Sequence, residues 1–306
     1  MSSQADRVQS ALRRLESERS TQATGDGGIR IGLVGRGISA SLTPIMHEQE
    51  GRRLGLFYRY DLVDFDRLEL EDTDLAMMLD AVYQRGFRGI NVTFPFKQAI
   101  IPHLDDLEAS AAAVGAVNTV VFDPARRIGH NTDCFGFAES LRRGLGAVPL
   151  DRVVQIGAGG AGAAVAQALA ELGARQLDVV DVDGQRAAAL ALRVAAANGI
   201  DVRSYTPDQL AELVPSASGM VNATPVGMDK LPGLPVDTAL LNGSHWVADI
   251  VYFPRETELI RRAREIGCSV LPGGGMAVFQ AVRAFALFSG IEPDSAHMSK
   301  TFAAYA

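Results

Sequence analysis

The chain has 306 residues, longer than one hydrophobic core usually serves, and is 47% hydrophobic and 21% charged, so it is neither a single small domain nor a disordered polypeptide. Its net charge of -7 is spread without long runs of one sign and offers no basic surface for nucleic acid. The two cysteines, Cys134 and Cys268, have neither CxxC nor metal-ligand spacing, so no metal is expected and both read as reduced core residues.

The opening MSSQADRVQSALRRLESERS lacks the apolar stretch of a signal peptide, and no window has the roughly 20 apolar residues of a membrane helix. A cytoplasmic protein without membrane partners is the expectation. Positions 7–17 suit a short charged helix through Val8, Leu12 and Leu15, and TQATGDGG after it reads as a flexible joint. Residues 1–28 are therefore expected to be a flexible appendage.

From IRIGLVG onward, apolar strand-like runs alternate with helical ones. TPIMHEQEGRRLG is a helix with Pro44 in its first turn, YRYDLVD a strand, DLAMMLDAVYQRG a helix closed by Gly86, and GINVTF a strand. After the strand VNTVVFD and the turn PARRIGHN, the helix DCFGFAESLRRGLG leads into a second alternating series at VVQIGAGGAG. That series runs through AAVAQALAELG, QLDVVD, RAAALALRVAAANG, MVNAT and WVADIV, and a largely apolar helix over 277–289 should return to the first domain. Such alternation predicts an α/β protein with mostly parallel sheets in two domains. The expected division is 29–132 plus 274–306 for a substrate-binding domain and 133–273 for a doubly wound Rossmann domain.

Gly157-Ala158-Gly159-Gly160-Ala161-Gly162 follows the strand VVQI and opens a helix, the context a dinucleotide fingerprint demands. The glycines allow a tight turn and let main-chain amides approach a pyrophosphate at a positive helix end. About 20 residues further on, Asp181 ends a strand where a carboxylate can accept from a ribose 2′-hydroxyl. Asp181-Val182-Asp183 would repel a 2′-phosphate, which favours NAD, while Arg186 leaves room for NADP. GINVTFPFK puts Asn91, Thr93 and Lys97 where a strand leaves its sheet, the usual place for ligands in open α/β sheets. Asn118 and Thr119, then Asn131, Thr132 and Asp133, form two further small polar clusters at segment ends. Taken alone, Lys97 could be an ordinary surface cation and each cluster a turn.

Eight segments in order, SLTPIMH, NVTFPFK, AVNT, NTD, GAGGAG, NATPVGM, DIVYFPRETELI and GGGMAVFQAV, resemble the shikimate dehydrogenase family from about Ile29 to the C-terminus. The resemblance implies that Ser41 and Thr43 hold a substrate carboxylate. It implies ring-hydroxyl contacts from Asn91, Thr93, Asn118 and Gln280, a further contact from Tyr252, and Lys97 with Asp133 at the reacting carbon. Asn222, Ala223 and Thr224 would border the cofactor, with Val251 and Gly273 near its nicotinamide. Two departures stand out: Ser41-Leu42-Thr43-Pro44 replaces the Ser-x-Ser-Pro of biosynthetic members, and Asp181-Val182-Asp183 replaces the Asn-Arg-Thr of NADP-dependent ones. Both are similar to the bacterial quinate/shikimate dehydrogenases, which use NAD in quinate and shikimate breakdown and oxidise the C3 hydroxyl reversibly to 3-dehydroquinate or 3-dehydroshikimate. A biosynthetic NADP-linked shikimate dehydrogenase and a catalytically silent ligand sensor are the alternatives, the intact Lys97 and Asp133 speaking against the second. A homodimer or a homotetramer both remain open.

Overall fold

The computed structural model describes residues 3–17 and 28–306, and the chain divides into two units, Met1–Thr132 with Ala281–Tyr305 and Asp133–Gln280 with Ala306. The second crossing falls inside the last long helix rather than before it.

The first unit contains α1 (Gln4–Ser17), β1 (Ile29–Gly35), α2 (Thr43–Arg53), β2 (Tyr58–Asp64), α3 (Leu75–Gln84), β3 (Gly89–Val92), α4 (Phe96–Ala99), β4 (Asp106–Leu107), α5 (Ala109–Val114), β5 (Thr119–Phe122) and β6 (Arg127–His130). Its six strands lie in the order β2-β1-β3-β5-β6-β4. β1 runs parallel to β2 and β3, whereas β5 is antiparallel to both β3 and β6. RIGH, expected to lie in a turn, is thus a strand: Val120 and Val121 of β5 pair with Gly129 and Ile128. A Cβ at Gly129 would stand 2.7 Å from Leu104, so close packing under the sheet requires glycine there.

The expected appendage is corrected over 4–17. Val8, Ala11, Leu12 and Leu15 of α1 are buried in the same core as Phe65, Met78, Leu79 and Val82. The spacing 8, 11, 12, 15 puts them on one helical face, and full burial of a Val or Leu side chain is worth roughly 1.5–3 kcal/mol. Arg7 adds an ion pair to the buried Asp74 at 2.8 Å. The expected joint TQATGDGG lies, save for Gly28, outside the described residues.

The second unit follows with α6 (Thr132–Gly144), β7 (Arg152–Ile156), α7 (Gly160–Glu171), β8 (Gln176–Val180), α8 (Gly184–Asn198), β9 (Asp201–Tyr205), α9 (Leu210–Leu213), β10 (Gly219–Asn222), β11 (Trp246–Asp249), α10 (Glu258–Ile266), β12 (Ser269–Leu271) and the start of α11 (Gly274–Ser289). Its sheet, β12-β11-β10-β7-β8-β9, is parallel throughout. In chain order this is the doubly wound Rossmann arrangement, whose strand order reverses between β7 and β10. The inner strands β7, β8, β10 and β11 are buried over nearly their whole length, whereas the edge strand β9, DVRSY, is polar and largely exposed. The C-terminal half of α11 belongs to the first unit, where Ala284 and Phe288 pack with Ile31, Leu33 and Tyr60. α12 (Ser295–Tyr305) closes that unit, tied to α2 by Glu50, which accepts from the Asp294 amide at 2.7 Å. Among the described residues, no helix is long and apolar enough to cross a membrane.

Candidate active site

In the first unit the polar groups gather where β1 and β3 end and the antiparallel β5 begins. Thr93 follows β3, its amide donating to Val34 O at 2.9 Å, and a Cβ at Gly35 would lie 2.4 Å from its methyl group. Two residues later the chain turns into α4. Phe96 buries its ring 4.5 Å from that of Phe65, and the Lys97 carbonyl accepts from Val117 N at 2.8 Å. These contacts fix the backbone of Lys97 beside the AVNT segment while its side chain is half-buried.

Asn91, Asn118, Thr119 and Thr132 are all buried and share a directional relay. Tyr60 donates to Asn91 Oδ1 at 2.8 Å, Asn91 Nδ2 to Thr119 Oγ1 at 2.9 Å, Thr119 Oγ1 to Asn118 Oδ1 at 3.1 Å, and Asn118 Nδ2 to Thr132 Oγ1 at 2.9 Å. Ser41 and Thr43 stand half-buried at the start of α2, Ser41 Oγ accepting from the Thr43 amide at 3.3 Å. The N-cap residue Leu42 has no polar side chain, the Thr43 amide is taken by Ser41, and Pro44 brings no amide, so the hydroxyls of Ser41 and Thr43 are the polar groups this helix start offers.

In the second unit Asp133 sits buried in the first turn of α6. Burial, with the nearby Asp133 charge as a second cause, pushes the Tyr252 phenol above its ordinary range, which places these two residues in one neighbourhood. Gln280 lies against the same helix, since a Cβ at Gly136 would come within 2.8 Å of its main-chain N; its side-chain amide donates back to Ala277 O at 2.9 Å. Gly273 is equally constrained, with Val251 O 2.5 Å from where its Cβ would be.

The fingerprint loop occupies the reversal point of the sheet. Gly157 has φ 105° and room for no Cβ, because Ala223 O would lie 2.7 Å away; a Cβ on Gly162 would meet Gly157 O at 2.2 Å. Gly159, by contrast, is exposed with open space around it, and it is the N-cap of α7. Tight packing below and open amides above form a cradle that fits a pyrophosphate. Asp181 is buried beside it, its Oδ2 accepting from Ala158 N at 2.7 Å and its Oδ1 from Asp183 N at 2.9 Å. Val182 is 86% exposed. Arg186 does not stand free: it reaches Asp183 at 3.4 Å and Asp181 at 3.8 Å.

Ala223 and Thr224 adjoin the glycine loop, but the Asn222 side chain turns inward. Its Nδ2 donates to Val226 O and Asp249 Oδ1, each at 3.0 Å, and its Oδ1 accepts from Thr224 N at 3.1 Å and Thr224 Oγ1 at 2.7 Å. Asn222 therefore shapes the turn and has no amide proton left for a cofactor. Asp249 completes this brace, accepting from Val251 N at 3.0 Å and Thr257 Oγ1 at 2.7 Å, and burial raises its carboxyl to about 6. Sequence reasoning missed Asp249, and it missed Gln155, whose Nε2 donates to Gly157 O and Gly162 O, both at 2.8 Å. The available signal was one polar letter inside each of the apolar runs VVQI and WVADIV.

A dinucleotide cradle at a Rossmann reversal point and a partner unit rich in buried amides and hydroxyls define the class: a pyridine-nucleotide-dependent oxidoreductase acting on CH–OH groups. Comparison with known proteins narrows it. Residues 33–120 match the family model described as the shikimate dehydrogenase substrate binding domain. The shikimate dehydrogenase (NADP(+)) of Streptomyces avermitilis is 53% identical over 270 residues, covering 88% of this chain and 92% of that protein. The quinate/shikimate dehydrogenase (NAD(+)) of Corynebacterium glutamicum is 45% identical over 281 residues, covering 90% and 98%. A solved structure of quinate dehydrogenase from Corynebacterium glutamicum in complex with NAD superposes with a TM-score of 0.87, covering 90% of this chain and 99% of that one. The chain belongs to the shikimate dehydrogenase family.

Proposed function

We propose that this protein is an NAD-dependent quinate/shikimate dehydrogenase that reversibly oxidises the C3 hydroxyl of its substrate. The observation that carries the choice of NAD is the turn after β8. Asp181 is buried against the glycine loop, Val182 projects into solvent where NADP-dependent members carry arginine, and Arg186 is already paired with two carboxylates. A 2′-phosphate would meet net negative charge there, whereas a ribose 2′-hydroxyl can donate to Asp181. The alternative, an NADP-linked biosynthetic enzyme, draws support from the 53% identity to the Streptomyces protein.

In this reading the hydroxyls of Ser41 and Thr43 hold the carboxylate. Asn91, Thr93, Asn118 and Gln280 take ring hydroxyls, and Tyr252 adds a contact. Lys97 removes the hydroxyl proton as the hydride leaves carbon, with Asp133 beside the reacting carbon. Bound nicotinamide, bordered by Val251 and Gly273, supplies the hydride acceptor. Gly157 through Gly162, Ala223, Thr224 and Asp181 carry the rest of the dinucleotide.

Steady-state kinetics with quinate and shikimate, each against NAD and NADP, test the reading. It expects kcat/KM with NAD to exceed that with NADP by at least about tenfold, the equivalent of roughly 1.4 kcal/mol. A preference for NADP establishes the biosynthetic alternative, and absence of turnover with all four pairs establishes a ligand sensor.

A further inference from the structure

We propose that Tyr60 is a positioning residue for substrate: its buried hydroxyl, with the main-chain carbonyl of Asn118, locks the Asn91 amide so that only an acceptor lone pair remains for a ring hydroxyl. The inference rests on the reading of Asn91 and Asn118 as ring-hydroxyl contacts.

The inventory of the amide leads there. Asn91 Nδ2 faces Asn118 O at 3.2 Å and Thr119 Oγ1 at 2.9 Å, which uses both of its protons. Asn118 O is an acceptor only, so turning the amide over would set two oxygens against each other. Asn91 Oδ1 must then face Tyr60, whose hydroxyl donates to it at 2.8 Å. Tyr60 is 0% exposed, and burial raises its phenol well above the ordinary tyrosine range, so it stays protonated and stays a donor. One lone pair of Asn91 Oδ1 is left. Asn118 is locked in the opposite sense. Its Oδ1 accepts from Thr132 N at 2.7 Å and from Thr119 Oγ1, and its Nδ2 gives one proton to Thr132 Oγ1, leaving the other N–H. The pair presents one acceptor and one donor, which a hydroxyl satisfies and a carbonyl, ether or fluorine does not.

The test compares quinate and shikimate with their monodeoxy and monofluoro analogues, each altered at one non-reacting ring hydroxyl. Tyr60→Phe should raise KM for the polyol about 5- to 20-fold and leave kcat and the KM for NAD within about twofold. It should also lower, by a similar factor, the preference for the hydroxyl over its replacement at the one position where Asn91→Ala lowers it. Tyr58→Phe, which removes the phenol held by His47 Nδ1 at 3.0 Å on the same strand, should change neither quantity. Thr119→Val cuts the relay one step further on and serves if Tyr60→Phe does not fold; it should lower the same preference. If Asn91→Ala lowers the preference and Tyr60→Phe and Thr119→Val do not, the positioning role is overturned while the substrate reading of Asn91 stands. If Asn91→Ala leaves every preference unchanged, that reading falls and this inference with it.

Discussion

Asp181 Oδ2 receives the Ala158 amide at 2.7 Å, so the carboxylate at the end of β8 and the glycine loop after β7 are one structural unit. In the proposed reading one group thus shapes the cradle and meets the ribose. Hydrogen bonds to a charged acceptor are worth about 1.5–3 kcal/mol, so Asp181→Ala should raise KM for NAD roughly 10- to 100-fold and leave that for the polyol within about twofold. Equal effects on both would remove Asp181 from the nucleotide site. Rebuilding the turn as Asp181→Asn, Val182→Arg and Asp183→Thr removes two negative charges and adds a cation at an exposed position. The ratio of kcat/KM for NADP to that for NAD should rise at least about tenfold.

Asp249 gives a pH signature. Its carboxyl is raised to about 6 by burial from an unfolded value of 3.8. A raised folded value stabilises the protein fully below the unfolded value, and the contribution is lost as pH rises through about 6. A shift of about two units corresponds to something on the order of 3 kcal/mol. Asp249→Asn keeps an acceptor for Asn222 and Val251 and can donate to Thr257. The stability of the wild type minus that of the variant, from urea melts, should therefore decline by roughly 2–3 kcal/mol between about pH 4 and pH 7. A difference that stays flat across this window would show that the carboxyl is not burdened by its burial.

What could be read from the letters alone has a physical pattern. IRIGLVG and YRYDLVD coincide with β1 and β2, and GAGGAG with the loop into α7, because apolar period and glycine spacing are local signals. β6 was hidden because RIGH is short, follows Pro124, and pairs antiparallel with a strand from a hairpin. α1 reads as part of an appendage because the joint TQATGDGG follows it, although Val8, Ala11, Leu12 and Leu15 share one face. The braces were the least legible part. Gln155 binds main-chain carbonyls two and seven positions away, which meet it only once the loop has turned into α7, and Asp249 gathers Asn222, Val251 and Thr257, which requires β10 beside β11.

Gln155→Leu tests whether the glycine loop needs its internal strut. The substitution places an apolar side chain of similar size at a fully buried position but deprives Gly157 O and Gly162 O of the donor that joins them. Loss of such buried pairing costs about 1–3 kcal/mol, part of which should appear in cofactor binding because the loop is what the dinucleotide meets. KM for NAD should rise roughly 3- to 10-fold with the polyol KM unchanged. A variant that loses only thermal stability would make Gln155 a core residue without influence on the cradle.

Removal of residues 1–17 separates stability from catalysis. α1 contributes three large buried side chains, Val8, Leu12 and Leu15, and the Arg7–Asp74 pair to the first unit, yet none of its residues is among those proposed to meet substrate. Tm should fall by roughly 5–10 °C, with kcat/KM unchanged well below the transition. Unchanged melting would mean that the helix is not packed on this core in solution.

Lys97→Ala is the decisive substitution for the chemistry. Hydride departure from an alcohol carbon is feasible only as its hydroxyl proton leaves, and a positioned base contributes about 10²- to 10⁴-fold to such a step. Phe96 in the core and the Lys97 O to Val117 N hydrogen bond hold the backbone independently of the lysine side chain, so alanine should leave the surrounding site intact. The expected result is a fall in kcat of about 10²- to 10⁴-fold with substrate affinity, measured by equilibrium titration, changed only a few-fold. A fall in affinity with kcat preserved would instead make Lys97 a binding cation for the polyol. Near-full turnover would pass the proton to another group, and Asp133→Asn in the same assay would show whether Asp133 is that group.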